Sequence, residues 1–509
     1  MPRFMTAAEA VDLIPSGARV TVIGFTLMGA PEAITAEIER RFLAEGRPRD
    51  LTLLHGAGQS NGVVGVEHFA HAGLLRRIIG SHWGLAPKMR TLIAQDGVEA
   101  YALPQGQLCN LYAATAAGRP GILTTVGLHT FVDPRLEGGK VNARTRDQED
   151  LVEIVTVGGR EYLLYRAIPV DVCILRATLA DEDGNLAMDE EAVKLEWIHG
   201  AMAAKRSGGL VIAQVKYVTQ RGTIHPKRVV VPGILVDAVV VATRPEEQHR
   251  QTSGALFNPA YSGDIRLPAG RPEPLPPTER TLIGQRAYRE IPPGALVNLG
   301  TGIPADTIGP LARMNGEPPF RLSVESGMIG GIPGGGFDFG VAVNQEAMID
   351  HTAIFDYYNG TGVDVTLMGA AEVDAAGNVN ASRFGDRIAG CGGFIDITQT
   401  ARKVVFCLTF MAGHPRLRIE DGRLTVLEDS DRPKFIERVG QVTFSGPYAV
   451  ERGQEVVYVT ERAVFRLTPR GLRLEEVVAG VRLEADILSK MNFVPEIAAD
   501  LKEVPAGVP

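Results

Sequence analysis

The chain has little cysteine. Its four, Cys109, Cys173, Cys391 and Cys407, are scattered through 509 residues with no Cys-x-x-Cys pair. That excludes a disulfide framework and a zinc-ribbon arrangement, and it suits a reducing cytoplasm. Long hydrophobic runs are missing too. No stretch reaches the roughly 18 uninterrupted apolar residues that a membrane-spanning helix requires. The opening MPRFMTAAEAVDLI is interrupted by Glu9 and Asp12, so it does not read as a signal peptide. Positive charge is not in excess, since 52 Lys and Arg stand against 60 Asp and Glu. With no long block of like charge, neither a nucleic-acid partner nor a membrane surface is expected.

Several signatures of common chemistry are also lacking. The ten histidines offer no HExxH or other metal spacing, so no metal is expected. There is no GxSxG elbow for a hydrolase triad, and no GxGxxG follows the first strand to bind a dinucleotide.

What is present is a globular composition, 45% hydrophobic, in a chain long enough for two or three domains. Residues 263–280 read GDIRLPAGRPEPLPPTER, with five prolines and no apolar periodicity. Such a segment continues neither a helix nor a central strand and is expected to be an extended linker. It divides the chain into a front half, 1–262, and a back half, 281–509.

The halves resemble each other. The front opens with IPSGARVTVIG (Ile14–Gly24) and then GAPEAI; the back opens with IPPGALVNLG (Ile291–Gly300) and then GIPADTI. Each reads as a Pro-x-Gly turn, a buried strand, a glycine corner and a helix with proline near its first turn. A second echo pairs DEDGNL (Asp181–Leu186) with DAAGNV (Asp374–Val379), both reading as tight turns. The echoes are 167 residues apart in front, Gly17 to Gly184, but 83 behind, Gly294 to Gly377. The front half is therefore expected to carry an insertion, within about 100–165. The fold class that follows is α/β: two related open domains with mostly parallel sheets flanked by helices. Near the C-terminus, Gln454–Val477 alternates apolar and polar residues around a turn at Pro469–Gly471, which predicts antiparallel strands.

The most informative segment is RLSVESGMIGGIPGGGFDFG (Arg321–Gly340). Leu322-Ser-Val324 reads as a strand end, Glu325 stands where it stops, and six of the next eleven residues are glycine. Ligands in open α/β sheets sit outside the carboxyl ends of strands. Glycine there lets the backbone turn sharply and approach a ligand. A surface turn with an incidental Glu is the bland alternative. A phosphate loop is disfavoured, since the tract has neither lysine nor GxxxxGK[ST]. A second glycine cluster, IAGCGGFIDI (Ile388–Ile397), encloses Cys391, for which a small buried thiol is a better reading than a nucleophile, because Arg387 is the sole local positive charge. His82 and Trp83 in GSHWG read as pocket wall or core.

Glu325-Ser-Gly followed by IGGIPGGG resembles the catalytic signature of family I CoA-transferases, the group that includes succinyl-CoA:3-oxoacid and bacterial acetate CoA-transferases. GFTLMGAPE, HWGLAPK, ALPQG, TFVDPRLEGGKVN, AEVDAAGNVN, GCGGFIDITQ and YVTERAVFRL are similar to segments of the acetate branch, in the same order, with both halves fused. The resemblance implies that Glu325 becomes acylated and then carries CoA as a thioester. It also implies that the Gln105 side chain and one amide of the Gly390–Gly393 loop, Gly392 being the one singled out, form the oxyanion hole. Gly390, Gly393, Gly330 and Gly331 are expected to line the coenzyme site. No cofactor is permanently bound on this reading; the CoA thioester is the substrate, acyl-CoA and small carboxylic acids are the partners, and relatives suggest a homodimer or homotetramer. An asparagine of the family has no clear match in LLHGAGQSNG (Leu53–Gly62). His129 stands where relatives usually carry glycine, implying a narrower or more polar pocket. An acyl-CoA hydrolase using the same glutamate and a catalytically silent CoA-binding regulator are the alternatives.

Overall fold

The computed structural model describes residues 1–268, 270, 272–314, 316, 318–413 and 415–507. Two large sheets organise the chain. The first, of nine strands, runs in the order Arg3–Met5, Ala238–Val241, Leu210–Thr219, Val172–Asp181, Arg19–Val22, Leu51–His55, Leu75–Gly80, Glu99–Ala102. All of these pair in parallel, and short Leu186–Ala187 adds an antiparallel contact to Val172–Asp181. The strands Leu51–His55 and Glu99–Ala102 are buried at every position, as a sheet covered by helices on both faces demands.

The second sheet, of ten strands, has a parallel centre: Arg321–Val324, Leu296–Leu299, Val365–Gly369, Lys403–Cys407 and Glu455–Val459. On one flank Met328–Ile329 and Ala347–Met348 turn back antiparallel. On the other, Ala463–Thr468 and Gly471–Val478 are antiparallel around the expected turn, and Glu496–Val504 then joins in parallel, a strand that alternation did not reveal. The insertion in the front half is a separate antiparallel sheet of Gly121–Thr124, Arg160–Arg166 and Val152–Val157, one residue longer than expected at its end.

The echoes between halves are physical copies. Gly17 and Gly294 both have φ of 80°, where a side chain is disfavoured. Their N–H groups reach Arg49 O at 2.8 Å and Pro319 O at 2.7 Å. Two residues on, Arg19 pairs with Thr52, and Leu296 pairs with Arg321. The Asp181 carboxylate accepts from Asp183 N, Asn185 N and Asn185 Nδ2; Asp374 accepts from Ala376 N, Asn378 N and Asn378 Nδ2. Each asparagine then accepts from a distant glycine amide, Gly233 or Gly446. One turn is thus built twice, by an Asx-type side chain tying its own loop.

Hydrogen bonds join the two sheets' loops directly. Trp83 N donates to Ala389 O at 2.7 Å, Gln105 N to Gly392 O at 2.9 Å, and His351 N to Lys194 O at 2.7 Å. Between the halves, 263–278 forms no helix or strand among its described residues and is largely exposed; Glu279–Tyr288 already begins the next helix, capped by Thr278. Residues 269 and 271 of the expected linker lie outside the described residues. The boundary at 263–280 is a proposal with a direct test. Brief trypsin or elastase digestion should release fragments near 29 and 25 kDa by weight of chain, at about 110 Da per residue, before either half is cut. Early cuts elsewhere would move the boundary.

Candidate functional site

Glu325 follows the last residue of Arg321–Val324 and occupies the first corner of a tight turn closed by Gly327 N donating to Val324 O at 2.9 Å. Gly327 has φ of 106°, and a Cβ on it would lie 2.1 Å from the Ile349 carbonyl, so only glycine fits. Ser326 Oγ donates to Gly340 O and pins the turn from behind. Gly327 therefore shapes the turn that presents Glu325.

Glu325 opens into a cavity of about 630 Å³ whose walls come from both sheets. Thr26, Gly58, His82 and Gln105 lie just beyond the carboxyl ends of front-half strands; Gly300, Glu325, Ala370 and Ala371 do so in the back half. This is where an open parallel sheet leaves room for a ligand. The Glu325 carboxyl keeps some exposure to the cavity, yet it is set deep among protein atoms. That burial pushes its pKa up, opposed by its own backbone N–H and by the Asn298 side chain.

Gln105 begins the helix Gln105–Ala116, and its backbone is held by Gly392 O. Asp396 clamps the same helix start, accepting from Gly106 N at 3.0 Å and Gln107 Nε2 at 2.8 Å. Burial pushes the Asp396 carboxyl up to about 6 against these hydrogen bonds. The Gln105 side chain is oriented by a buried chain: its Nε2 lies 3.0 Å from His351 Nε2, and His351 Nδ1 lies 2.7 Å from Glu196 Oε2. An amide nitrogen only donates, so His351 Nε2 accepts and Nδ1–H donates to Glu196. His351 and Glu196 are each at most 1% exposed, and Phe25 and Phe355 pack on the imidazole. One N–H of the Gln105 amide is therefore committed, and the second remains for the cavity.

Cys109 Sγ lies 3.5 Å from His351 Nδ1, so Cys109, Glu196 and His351 are close enough to invite a metal ion. The 2.7 Å hydrogen bond from His351 to Glu196 argues otherwise. An ion at 2.0–2.2 Å from each would hold those atoms roughly 3.3 Å apart.

The family of these residues is decided by comparison with known proteins. Residues 4–242 match the family model "Coenzyme A transferase". Caffeate CoA-transferase of Acetobacterium woodii is 43% identical over 514 residues, covering 100% of this chain and 97% of that protein. Acetate CoA-transferase YdiF of Escherichia coli (strain K12) is 41% identical over 502 residues, covering 98% and 93%. This chain belongs to the CoA-transferases. The crystal structure of the acyl-CoA transferase YdiF of E. coli O157:H7, in a thioester complex with CoA, superposes with a TM-score of 0.91 at 38% identity, over 99% of this chain and 95% of that one.

Within the CoA-transferase site, the structure brings together Glu325, Gln105, Gly390, Gly392 and Gly393, all of which line the cavity. Gly330 and Gly331 do not line it. Their φ values, 71° and 77°, serve a hairpin in which a Cβ would meet Glu346 or the backbone at 343–345; Gly335 and Gly336 reach the cavity instead. The Gly392 N–H, expected as an oxyanion donor, is already engaged. It donates to Ser81 O at 2.9 Å, whereas the Gly393 N–H has no acceptor among the described residues. Motif spacing points to the loop, and within it the Gly393 N–H is the amide left without an acceptor.

His129 does not narrow the cavity of the CoA-transferase. It sits against Tyr448, with ring centroids 4.8 Å apart, outside the cavity lining. Its φ of 60° explains why glycine suits that position. In LLHGAGQSNG, Ser60 and Asn61 line the cavity. Cys391 is 6% exposed and burial pushes its thiol pKa up, which fits a packed thiol rather than a nucleophile. Trp83 is core, donating to His55 Nε2 at 3.0 Å, and His82 is cavity wall.

Sequence reasoning missed His351 and Glu196, which lie far from any glycine motif, and Asn298, which stands in IPPGALVNLG but reads there as an ordinary buried strand residue. It also missed Thr26, a β-branched residue at φ of 52° whose buried hydroxyl has no partner among the described residues. Strain of that kind costs on the order of 1–3 kcal/mol and tends to be kept at ligand sites. No described helix is long and apolar enough to cross a membrane.

Proposed function

We propose that this CoA-transferase moves CoA from an acyl-CoA to an acceptor carboxylate by a ping-pong route through a glutamyl-CoA thioester on Glu325, with acetate or another short-chain acid as acceptor. One observation carries the reading: a carboxylate at a strand end in the back half shares a cavity with a side-chain amide, Gln105, fixed at a helix start in the front half.

The chemistry balances without ATP. The Glu325 carboxylate attacks the thioester carbonyl, a tetrahedral oxyanion forms, and CoA thiolate leaves an acyl–glutamyl anhydride. The thiolate then attacks the glutamyl carbonyl, releasing the first acid and leaving CoA on Glu325. The acceptor carboxylate runs the same steps in reverse. The Gln105 amide and the Gly393 N–H are the proposed donors to each oxyanion, where one donor is worth about 3 kcal/mol. Four buried free cysteines fit action in the cytoplasm; a homodimer or homotetramer belongs to the same proposal and is checked by light scattering.

Initial rates with acyl-CoA and acetate varied together should give parallel double-reciprocal lines; intersecting lines would mean a ternary complex. Acid-dependent CoA transfer should also exceed release of free thiol, the reverse ratio marking a hydrolase. The acceptor panel should include an aromatic acid, since one relative is a caffeate CoA-transferase.

A further inference from the structure

The glycine tract after Glu325 ends in a loop that the reaction steps leave unused. Gly335 and Gly336 are exposed and line the cavity, and a Cβ on either would meet nothing within 4 Å. These two glycines bring the loop no packing of their own, so its place depends on the residues that follow them. The first acid there is Asp338. Its carboxylate accepts from three groups, all in one segment of the front half: Thr252 Oγ1, Gly254 N at 3.2 Å and Tyr261 OH at 3.0 Å. Gly254 approaches so closely that a Cβ on it would stand 2.6 Å from Asp338 Oδ1. Asp338 makes no ion pair among the described residues, so hydrogen bonds rather than opposite charge hold it.

The segment that receives Asp338 is rooted in the first sheet. Arg176, inside the strand Val172–Asp181, donates to Arg250 O at 2.9 Å, and Gln251 Nε2 donates to Glu190 O at 2.8 Å. A second tie runs alongside, where Asn344 exchanges two hydrogen bonds of 2.8 Å with the backbone of Leu267. On its other side Asp338 leads to the nucleophile. Gly340, two residues on, accepts at its carbonyl from Ser326 Oγ, and Ser326 directly follows Glu325 in the tight turn. Phe339, between them, stacks on Phe25 with ring centroids 6.2 Å apart, and Phe25 packs on the His351 imidazole behind Gln105.

We infer that Asp338 is a positioning residue for Glu325. Its carboxylate latches the loop 335–340 of the back half onto the strap 252–261 of the front half, and the latch keeps Gly340 where Ser326 needs it. This rests on Glu325 as the attacking carboxylate. The latch requires acceptors in the right places, not a negative charge. An asparagine would keep Oδ1 for Thr252 and Gly254 and turn its amide nitrogen to the Tyr261 oxygen, which accepts as well as donates.

The readout is the rate at which the CoA adduct forms on Glu325 at saturating acyl-CoA, followed by mass in single turnovers. Asp338→Ala should slow it on the order of 10- to 100-fold, the scale of a misplacement near 1 Å, with KM for acyl-CoA changed far less. Asp338→Asn should retain most of the rate. Thr252→Val combined with Tyr261→Phe should reproduce the loss, and Asp338→Ala added to that pair should cost little more. An unchanged rate in Asp338→Ala, an equal loss in Asp338→Asn, or losses that multiply would overturn the proposal. If Asp338→Ala does not fold, a full rate in the Thr252, Tyr261 pair overturns it alone. Amide hydrogen exchange across 326–341 reads the latch without turnover: it should quicken in Asp338→Ala and in the pair, but not in Asp338→Asn. That exchange pattern in a parent protein that forms no adduct would support the latch and sink the transferase mechanism instead.

Discussion

Glu325→Ala is expected to abolish CoA transfer and to remove the covalent adduct. Incubated with acyl-CoA and no acceptor, the parent protein should gain the mass of CoA. Borohydride should then reduce the thioester to an alcohol within the peptide around RLSVESGMIGG. Glu325→Asp should also fail badly, on the order of 10²-fold, because the shorter arm withdraws the carboxylate by about 1 Å from a turn that cannot follow. Near-normal transfer by Glu325→Ala, or an adduct on Cys391, would refute the mechanism.

Burial adds a pH dependence with a definite sign. The Glu325 pKa is raised, so the attacking carboxylate is lost, and the rate with it, as pH falls through that raised value. The same shift means that ionised Glu325 costs the folded state more than the unfolded state at any pH above it. Glu325→Gln should therefore be inactive yet melt at a higher temperature at pH 7; a lower melting temperature would show that the carboxylate is stabilised by contacts rather than strained by burial.

Gln105→Ala should lower kcat by roughly 10²–10³-fold while the protein stays folded. His351→Ala should act through the same amide. With Glu196 and His351 no longer fixing the glutamine, the donor swings, and a loss approaching 10²-fold is expected. The double variant separates this from general damage. If His351 works by orienting Gln105, adding His351→Ala to Gln105→Ala costs little more, whereas independent roles would multiply the losses. An unchanged kcat in Gln105→Ala would move the oxyanion donor elsewhere.

The parts of this site that were legible in the sequence are those written in short range. Glu325 stands between an apolar strand and a glycine tract, and the paired Pro-x-Gly openings announce two copies of one fold. Two glycines of that tract, Gly330 and Gly331, were misplaced because glycine marks a positive φ equally well in a hairpin and at a ligand. Gly392 was singled out over Gly393 because spacing cannot say which N–H is already engaged. His351 and Glu196 were invisible for a different reason. They are 155 residues apart, and each reads as an ordinary polar residue until both are packed behind Gln105. Glu496–Val504 joined the sheet unannounced because an exposed edge strand lacks clean alternation.

The matched strand registers carry a consequence for stoichiometry. Counted from the Arg19–Thr52 and Leu296–Arg321 pairs, the residue that answers to Glu325 in the front half is Gly56. A Cβ at Gly56 would lie 2.5 Å from Cys109 Sγ and 3.1 Å from Glu196 Oε1. The room for a second nucleophile has been given over to the side chains that brace Gln105. On the proposed mechanism the two copies divide the labour, one supplying the attacking carboxylate and the other the oxyanion donor. On that mechanism neither half should transfer CoA by itself, and whatever the assembly, saturation with acyl-CoA should load one coenzyme per chain rather than two.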